Sequence, residues 1–152
     1  WEEVRADFPD IETNAMHIDA VAMEIIRHPG DFDVIVTENM FGDILSDITS
    51  ALVGGVGLAP SANLNMEGVS MFEPIGGSAP KYTGQNVINP LAAISAVGMM
   101  LEHLGELEAA NALHQACMSV LRDGEFVPAD LGGSATTTQL GDAIVSALEA
   151  GS

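Results

Sequence analysis

Hydrophobic and polar positions along this chain follow a helical period in several segments. Apolar residues recur three and four positions apart, which is the spacing of one buried helix face. Helices are therefore predicted over residues 18–27, 41–52, 90–104 and 106–122. Asn89 followed by Pro90 predicts a capped start for the third of these helices. A last helix is predicted after Thr136, because Thr136 and Gln139 have the spacing of a capping box.

Between the helices, two short apolar runs have the character of strands. Residues 33–37 form a β-branched run typical of a strand buried in a parallel sheet, and residues 69–72 predict a second strand. Residues 53–68 are predicted to be a Gly/Pro/Ser/Asn connection. Residues 74–89 are predicted to be a long loop, and loops of that length are usually functional. The alternation of helices and strands predicts an α/β fold.

Composition and charge mainly exclude classes of function. With 22 acidic and four basic residues among 152, the net charge is −18, so too few Lys and Arg side chains are present to bind nucleic acid or an anionic membrane. No apolar run approaches the ~20 residues that cross a bilayer, and no secretory leader opens the chain, so we expect a soluble, cytoplasmic protein. The single cysteine, Cys117, lies in a helical pattern and is expected to be a buried structural thiol.

Three aspartates are the first candidates for chemistry. Asp43 and Asp47 stand four positions apart on one predicted helix, so their carboxylates project from one side about one turn apart. Two like charges at this spacing repel each other, and a divalent cation held by both would remove the repulsion. A solvated helix face is the commoner interpretation of such a pair, and both interpretations stay open at this point. Asp19 adds little by itself.

Longer motifs narrow the choice. Residues 39–47, NMFGDILSD, resemble the metal motif of the β-decarboxylating dehydrogenases, the family of isopropylmalate, isocitrate, homoisocitrate and tartrate dehydrogenases. Residues 17–20 resemble the family's YxD segment, and Asp19 precedes Asp43 by 24 residues, as in the family. Further segments that resemble the family's landmarks follow in the family's order at 57–63, 72–74, 77–80, 84, 89–90, 130–133 and 135–137. The resemblance covers essentially the whole chain and is closest to the C-terminal part of isopropylmalate dehydrogenases.

This resemblance implies a fold and a metal site. The expected fold is an isopropylmalate dehydrogenase-like α/β fold in which residues 1–54 belong to a dimer-forming, metal-binding lobe and residues 55–152 to a cofactor-binding lobe. Asp19, Asp43 and Asp47 would ligate Mg²⁺ or Mn²⁺ together with the substrate. Asp19 would be provided to the other subunit of a homodimer.

The resemblance also implies that NAD or NADP lies along the loop at 76–89. No G-x-G-x-x-G motif follows a strand here, so a Rossmann site is not predicted. The implied cofactor-binding residues are Gly76, Gly77, Ser78, Ala79, Pro80, Lys81, Tyr82, Asn89 and Asp130. Lys81 and Tyr82 replace an aspartate of NAD-using relatives, which favours NADP by about 1.5 to 3 kcal/mol. Ala129 and Gly133 stand where NADP-using relatives add a tyrosine and an arginine, so half of the phosphate-binding group is absent.

The implied activity is oxidative decarboxylation of a 2-hydroxy acid. The Gly76 variant of the loop favours 3-isopropylmalate and hence leucine biosynthesis, whereas residues 58–63 resemble isocitrate- or tartrate-like members. Isocitrate and tartrate or malate therefore remain alternatives. The family's catalytic lysine and tyrosine precede the metal motif and cannot be placed in this sequence. We therefore expect the chain alone to be inactive, and a noncatalytic fragment or regulatory subunit is the alternative from outside the enzyme class.

Overall fold

The computed structural model describes residues 1–151, which form six α-helices and one antiparallel pair of strands. The helices are α1 (Glu2–Arg5), α2 (Ile18–Arg27), α3 (Asn39–Leu52), α4 (Leu91–His103), α5 (Leu107–Asp123) and α6 (Thr137–Ala150). The strands are β1 (Pro60–Asn63) and β2 (Met71–Pro74), paired so that Ala62 lies opposite Phe72. Within this described part of the chain, no helix is long and apolar enough to cross a membrane.

Contacts along the chain divide it into two units. The first comprises residues 1–49, and the second begins at Ser50. The assignment of residues 1–54 and 55–152 to a dimer-forming lobe and a cofactor-binding lobe stays a prediction.

The first unit contains α1, α2 and most of α3. Helix α2 has the predicted bounds and buries Val21 and Ile25, which stand four positions apart on one face. Pro29 lies at the start of a 3₁₀ turn that directly follows α2, where its missing N–H cannot continue the helix ladder. Leu45 is the buried residue of α3 in this unit.

The second unit has its core where α4, α5 and α6 meet. Helix α4 packs against both strands and against α5, and α5 packs against α6. The buried cluster consists of Leu91, Ala116, Val120, Leu140 and Ile144. Leu140 is 0% exposed, and burying such a side chain contributes about 1.5 to 3 kcal/mol to folding.

Local sequence signals mark the ends of three helices. The Asn89 side-chain oxygen accepts from the amide of Leu91 at 2.9 Å, and α4 begins at this residue, one position after the predicted start at Pro90. Helix α5 ends at Asp123 and is capped by Gly124, whose φ of 73° places it in the left-handed region that favours glycine. At α6, Thr136 and Gln139 form the predicted capping box. These features are set by neighbouring residues, which is why the sequence predicts them.

The strand predictions are wrong in three places. Residues 33–37 form no strand, and Val34 and Val36 are 84% and 92% exposed, because no other described segment pairs with this run. The second strand is shifted from 69–72 to Met71–Pro74, and the predicted connection at 53–68 contains β1. Hydrogen-bonded pairing defines a strand, and the composition of one segment does not reveal its partner.

Candidate functional site

Helix α3 carries two of the three predicted metal ligands. Asp43 and Asp47 are exposed and lie one helical turn apart on the same side. The Asn39 side-chain amide donates to Asp43 Oδ2 at 3.3 Å, and the Ser46 hydroxyl donates to the Asp43 backbone carbonyl at 2.9 Å. Carboxylate oxygens are the donors that Mg²⁺ prefers, so this pair fits part of a divalent-cation site.

The third predicted ligand, Asp19, lies on a different helix from this pair. It is an exposed residue in the first turn of α2, where its Oδ1 accepts from the amide of Ala20 at 2.9 Å. Across residues 1–151, no three His, Cys, Asp or Glu side chains are gathered as a metal site. A single copy of the chain therefore does not bring the three aspartates together, and their assignment stays a prediction.

The first half of the predicted cofactor loop is organised around a short 3₁₀ turn. Ala79 has a φ of 41°, a left-handed conformation that is unusual for a residue with a side chain, and its carbonyl accepts from the amide of Tyr82 at 3.0 Å. The turn at Pro80–Tyr82 holds Lys81 Nζ 4.7 Å from the centroid of the Tyr82 ring. Gln85 Nε2 donates to the Lys81 carbonyl at 2.7 Å. The loop thus presents an exposed ammonium group beside an aromatic ring.

The positive charge at this turn is isolated in the sequence. Lys81 is the only lysine of a chain whose net charge is −18. An ammonium group in such surroundings is the feature of this loop that would attract an anionic ligand, because the acidic remainder of the chain repels anions. Lys81 and Tyr82, the two residues on which the prediction of an NADP preference rests, lie next to each other in the structure.

Near the end of the loop, two predicted cofactor-binding residues meet although 41 positions separate them. Asn89 Nδ2 donates to Asp130 Oδ2 at 3.0 Å. Gly57 lies beside this hydrogen bond. A Cβ on residue 57 would overlap the Asp130 carboxylate and would lie 3.3 Å from Asn89 Nδ2. The Gly57 carbonyl also accepts from the amide of Ala92 at 3.0 Å. The three segments around residues 57, 89 and 130 therefore pack together.

Sequence reasoning missed one residue of this loop, Asn86. Its side-chain oxygen accepts from the amide of Thr138 at 3.1 Å and from the Thr138 hydroxyl at 3.0 Å. Its backbone carbonyl accepts from the amide of Thr137 at 3.0 Å. The only sequence signal was an asparagine in a glycine-containing loop, a residue that tolerates the left-handed region. Its partner lies 52 positions away, which no local pattern indicates.

Two further features of the second unit lie outside the predicted site. A cavity of about 450 Å³ between α5 and α6 is lined by none of the predicted site residues. Partial burial raises the pKa of the Cys117 thiol above its ordinary value of 9.0, which keeps the thiol protonated near neutral pH. Cys117 packs against the hydrophobic core and is therefore a structural residue, as its position in the helical pattern predicts.

Comparison with known proteins identifies the family. A family model described as "Isocitrate/isopropylmalate dehydrogenase" matches residues 1–144. The 3-isopropylmalate dehydrogenase of Zymomonas mobilis is 48% identical over 147 residues, which are 96% of this chain and 42% of that protein. The isocitrate/homoisocitrate dehydrogenase of Thermus thermophilus is 47% identical over 148 residues, which are 97% of this chain and 44% of that protein. The chain thus spans less than half the length of these curated relatives.

Solved structures agree with this result. The isocitrate dehydrogenase of Methylococcus capsulatus superimposes with a TM-score of 0.85 at 41% identity, covering 97% of this chain and 44% of that one. The TT0538 protein of Thermus thermophilus superimposes with a TM-score of 0.87 at 45% identity, covering 97% of this chain and 30% of that one. The expected α/β fold of this type is thereby confirmed. The chain belongs to the isocitrate/isopropylmalate dehydrogenase family.

Proposed function

We propose that the protein carrying this chain catalyses the oxidative decarboxylation of a 2-hydroxy acid, with 3-isopropylmalate as the leading substrate, Mg²⁺ or Mn²⁺ as the metal and NAD or NADP as the hydride acceptor. The observation that carries the proposal is the pair of exposed carboxylates of Asp43 and Asp47 on α3, in a chain of this family. The pair supplies hard oxygen donors at a spacing that suits one divalent cation.

The separation of Asp19 from this pair supports a shared site in a homodimer. Asp19 is exposed on α2, and the described residues of one copy do not gather it with Asp43 and Asp47 as a metal site, so a second copy would have to provide it. A bound divalent cation would supply Lewis-acid polarisation of substrate oxygen atoms. The aspartates of this chain would hold and orient that cation. The catalytic lysine and tyrosine of the family, which would move protons, cannot be placed in this sequence, and Lys81 and Tyr82 do not take their roles.

The loop at 76–89 is the proposed binding site for the nucleotide. Asn89, held by Asp130, would orient the adenine, and Lys81 with Tyr82 would attract a 2′-phosphate. Gly133 limits this phosphate site, because a Cβ at this position would lie 2.6 Å from the carbonyl carbon of Val127. An arginine cannot replace Gly133 without moving the backbone, so we expect Lys81 to provide the charge alone.

A second substrate is supported by one specific observation. The relative named isocitrate/homoisocitrate dehydrogenase is 47% identical to this chain, against 48% for the relative named 3-isopropylmalate dehydrogenase. Isocitrate therefore remains the second candidate, followed by tartrate or malate.

The cytoplasmic location expected from the sequence stays a prediction.

The decisive experiment measures activity in the full-length natural protein that carries this chain. Purified protein is assayed for NAD(P)H formation with 3-isopropylmalate, isocitrate, tartrate and malate, with Mg²⁺ and after chelation. We expect turnover with 3-isopropylmalate that depends on metal, and none from residues 1–152 alone. Turnover by the isolated chain would contradict the expectation that it is inactive. Absence of turnover from the full-length protein with every substrate would reject the proposed function in favour of a noncatalytic role.

Asp43→Asn tests the metal assignment in the same assay. Loss of one carboxylate ligand should raise both the metal concentration for half-maximal activity and the KM for the substrate, each about tenfold or more, because the two share one coordination sphere. Asp142→Asn is the matched control, since Asp142 is also an exposed helical aspartate but lies on α6. An unchanged metal requirement in Asp43→Asn would reject this ligand, and equal effects of both substitutions would point to a general charge effect.

A further inference from the structure

The first turn of α6 is tied to the predicted cofactor loop. The first N–H groups of a helix have no partner within the helix and need acceptors from elsewhere. Here the amide of Thr137 donates to the Asn86 carbonyl at 3.0 Å, the amide of Thr138 to Asn86 Oδ1 at 3.1 Å, and the amide of Gln139 to Thr136 Oγ1 at 3.2 Å. Two of these three donors are therefore satisfied by one loop residue.

The backbone conformation of Asn86 makes this double contact possible. Its φ of 58° lies in the left-handed region, which asparagine adopts more readily than most residues. In this conformation the carbonyl and the side-chain oxygen of Asn86 both reach α6.

Further hydrogen bonds hold the loop residues on either side of Asn86. The Thr137 hydroxyl donates to the Ile88 carbonyl at 2.5 Å, and the next residue, Asn89, is held by Asp130 at 3.0 Å. On the other side of Asn86, the Gln85 amide donates to the Tyr82 carbonyl at 3.1 Å. Asn86 thus lies between the turn that carries Lys81 and Tyr82 and the residue predicted to contact adenine.

We propose that Asn86 is a positioning residue for nucleotide binding, which holds the loop at 81–89 against the first turn of α6 and so sets the place of Asn89 and of the Lys81–Tyr82 turn. The proposal rests on the function proposed above. Asn86 itself need not touch the nucleotide. Its effect is to reduce the number of loop conformations in the free protein, which lowers the entropic cost of binding.

The test compares three variants of the full-length protein. Asn86→Gly keeps the left-handed backbone and removes the side-chain acceptor of two hydrogen bonds. Asn86→Asp keeps an acceptor that tolerates the same conformation and suits a helix N-terminus. Thr136→Ala is the matched control, because it removes the capping box of the same helix without breaking a described contact to the loop. For each protein we would measure the Kd for NAD and NADP by titration, KM and kcat, and the Tm.

The expected pattern separates positioning from general stability. Asn86→Gly should raise the Kd and KM for the nucleotide about tenfold, as the loss of two hydrogen bonds of ordinary strength suggests, while kcat at saturation stays within about twofold. Asn86→Asp should return both constants to within about threefold of the wild type. Thr136→Ala should lower the Tm and leave the Kd within about twofold.

Several outcomes would overturn the proposal. An unchanged Kd in Asn86→Gly, or an equal rise in Thr136→Ala, would show that Asn86 acts on helix stability alone. Failure of Asn86→Asp to restore the Kd would exclude the acceptor role. If Asn86→Gly does not fold, Thr138→Val removes only the hydroxyl donor and should still raise the Kd about two- to threefold, and no rise would reject the proposal. A wild-type protein that binds neither nucleotide would reject the proposed function itself, which distinguishes that failure from failure of this inference.

Discussion

Gly133→Ala probes the close packing of the segment that leads into α6. The Gly133 amide donates to the Pro128 carbonyl at 3.0 Å, the Ala135 amide donates to the Val127 carbonyl at 2.9 Å, and Pro128 is fully buried. A Cβ on residue 133 would lie 2.6 Å from both the carbonyl carbon and the Cβ of Val127, and closer still to the carbonyl oxygen. Since these are mostly backbone atoms, no side-chain rotation relieves the clash.

The expected cost follows from what must move. Separating the two backbones weakens two hydrogen bonds worth about 1 kcal/mol each and adds the about 1 to 3 kcal/mol typical of overpacking. We therefore expect Gly133→Ala to lower the free energy of unfolding by about 3 to 5 kcal/mol, measured by urea denaturation of the full-length protein. This cost exceeds that of most single substitutions.

Two neighbouring glycines serve as controls for this prediction. Gly132 has a φ of 87° but open space around its Cβ position, so Gly132→Ala should cost only about 1 to 2 kcal/mol of left-handed strain. Gly141 lies inside α6 with open space, so Gly141→Ala should stabilise by about 0.5 to 1 kcal/mol. A cost below about 1 kcal/mol for Gly133→Ala, or a larger cost for Gly132→Ala, would refute the steric argument.

Three further predictions concern single side chains. Lys81→Asp should lower the ratio of kcat/KM for NADP to that for NAD about tenfold or more, because it replaces an attraction for a 2′-phosphate with repulsion; an equal ratio in both proteins would exclude Lys81 from cofactor choice. Leu140→Ala should cost about 2 to 5 kcal/mol in urea denaturation, since Leu140 is fully buried, and a cost below about 1 kcal/mol would contradict its place in the core. The raised pKa of Cys117 predicts that iodoacetamide labels the folded protein slowly at about pH 8 and labels the urea-unfolded protein faster. It also predicts that the free energy of unfolding falls as pH rises past about 9, because the thiol ionises there in the unfolded state but not in the folded state. Equal labelling rates in the two states would contradict the burial of Cys117.

The helices were predictable because their signals are local. Helix α2 has the predicted bounds, 18–27, since the apolar positions and the terminating proline are contained in the segment itself. The capping box at α6 is set by two residues three positions apart. Helix α3 begins two residues before its predicted start at Phe41, which is within the usual uncertainty of a helix end.

The strands and part of the site could not be predicted in the same way. Strand β1, Pro60–Asn63, contains no β-branched or aromatic residue, so its composition gives no strand signal, and it is defined by pairing with β2. The contact between Asn86 and Thr138 joins residues 52 positions apart. The motifs named Asn89 and Asp130 as cofactor-binding residues but gave no reason to expect that the two side chains bond to each other.

The exposed run at 33–37 affects how the isolated chain would behave in solution. Val34 and Val36 are 84% and 92% exposed in a β-branched run without regular secondary structure, and exposed runs of this composition can pair with a second copy of themselves. The net charge of −18 opposes such pairing, because copies repel each other at low ionic strength. Added salt screens this repulsion and reduces its range, the Debye length, to about 3 Å at 1 M. The solubility of the isolated chain therefore depends on a balance between attraction at this exposed apolar run and electrostatic repulsion between copies, and added salt shifts the balance towards aggregation.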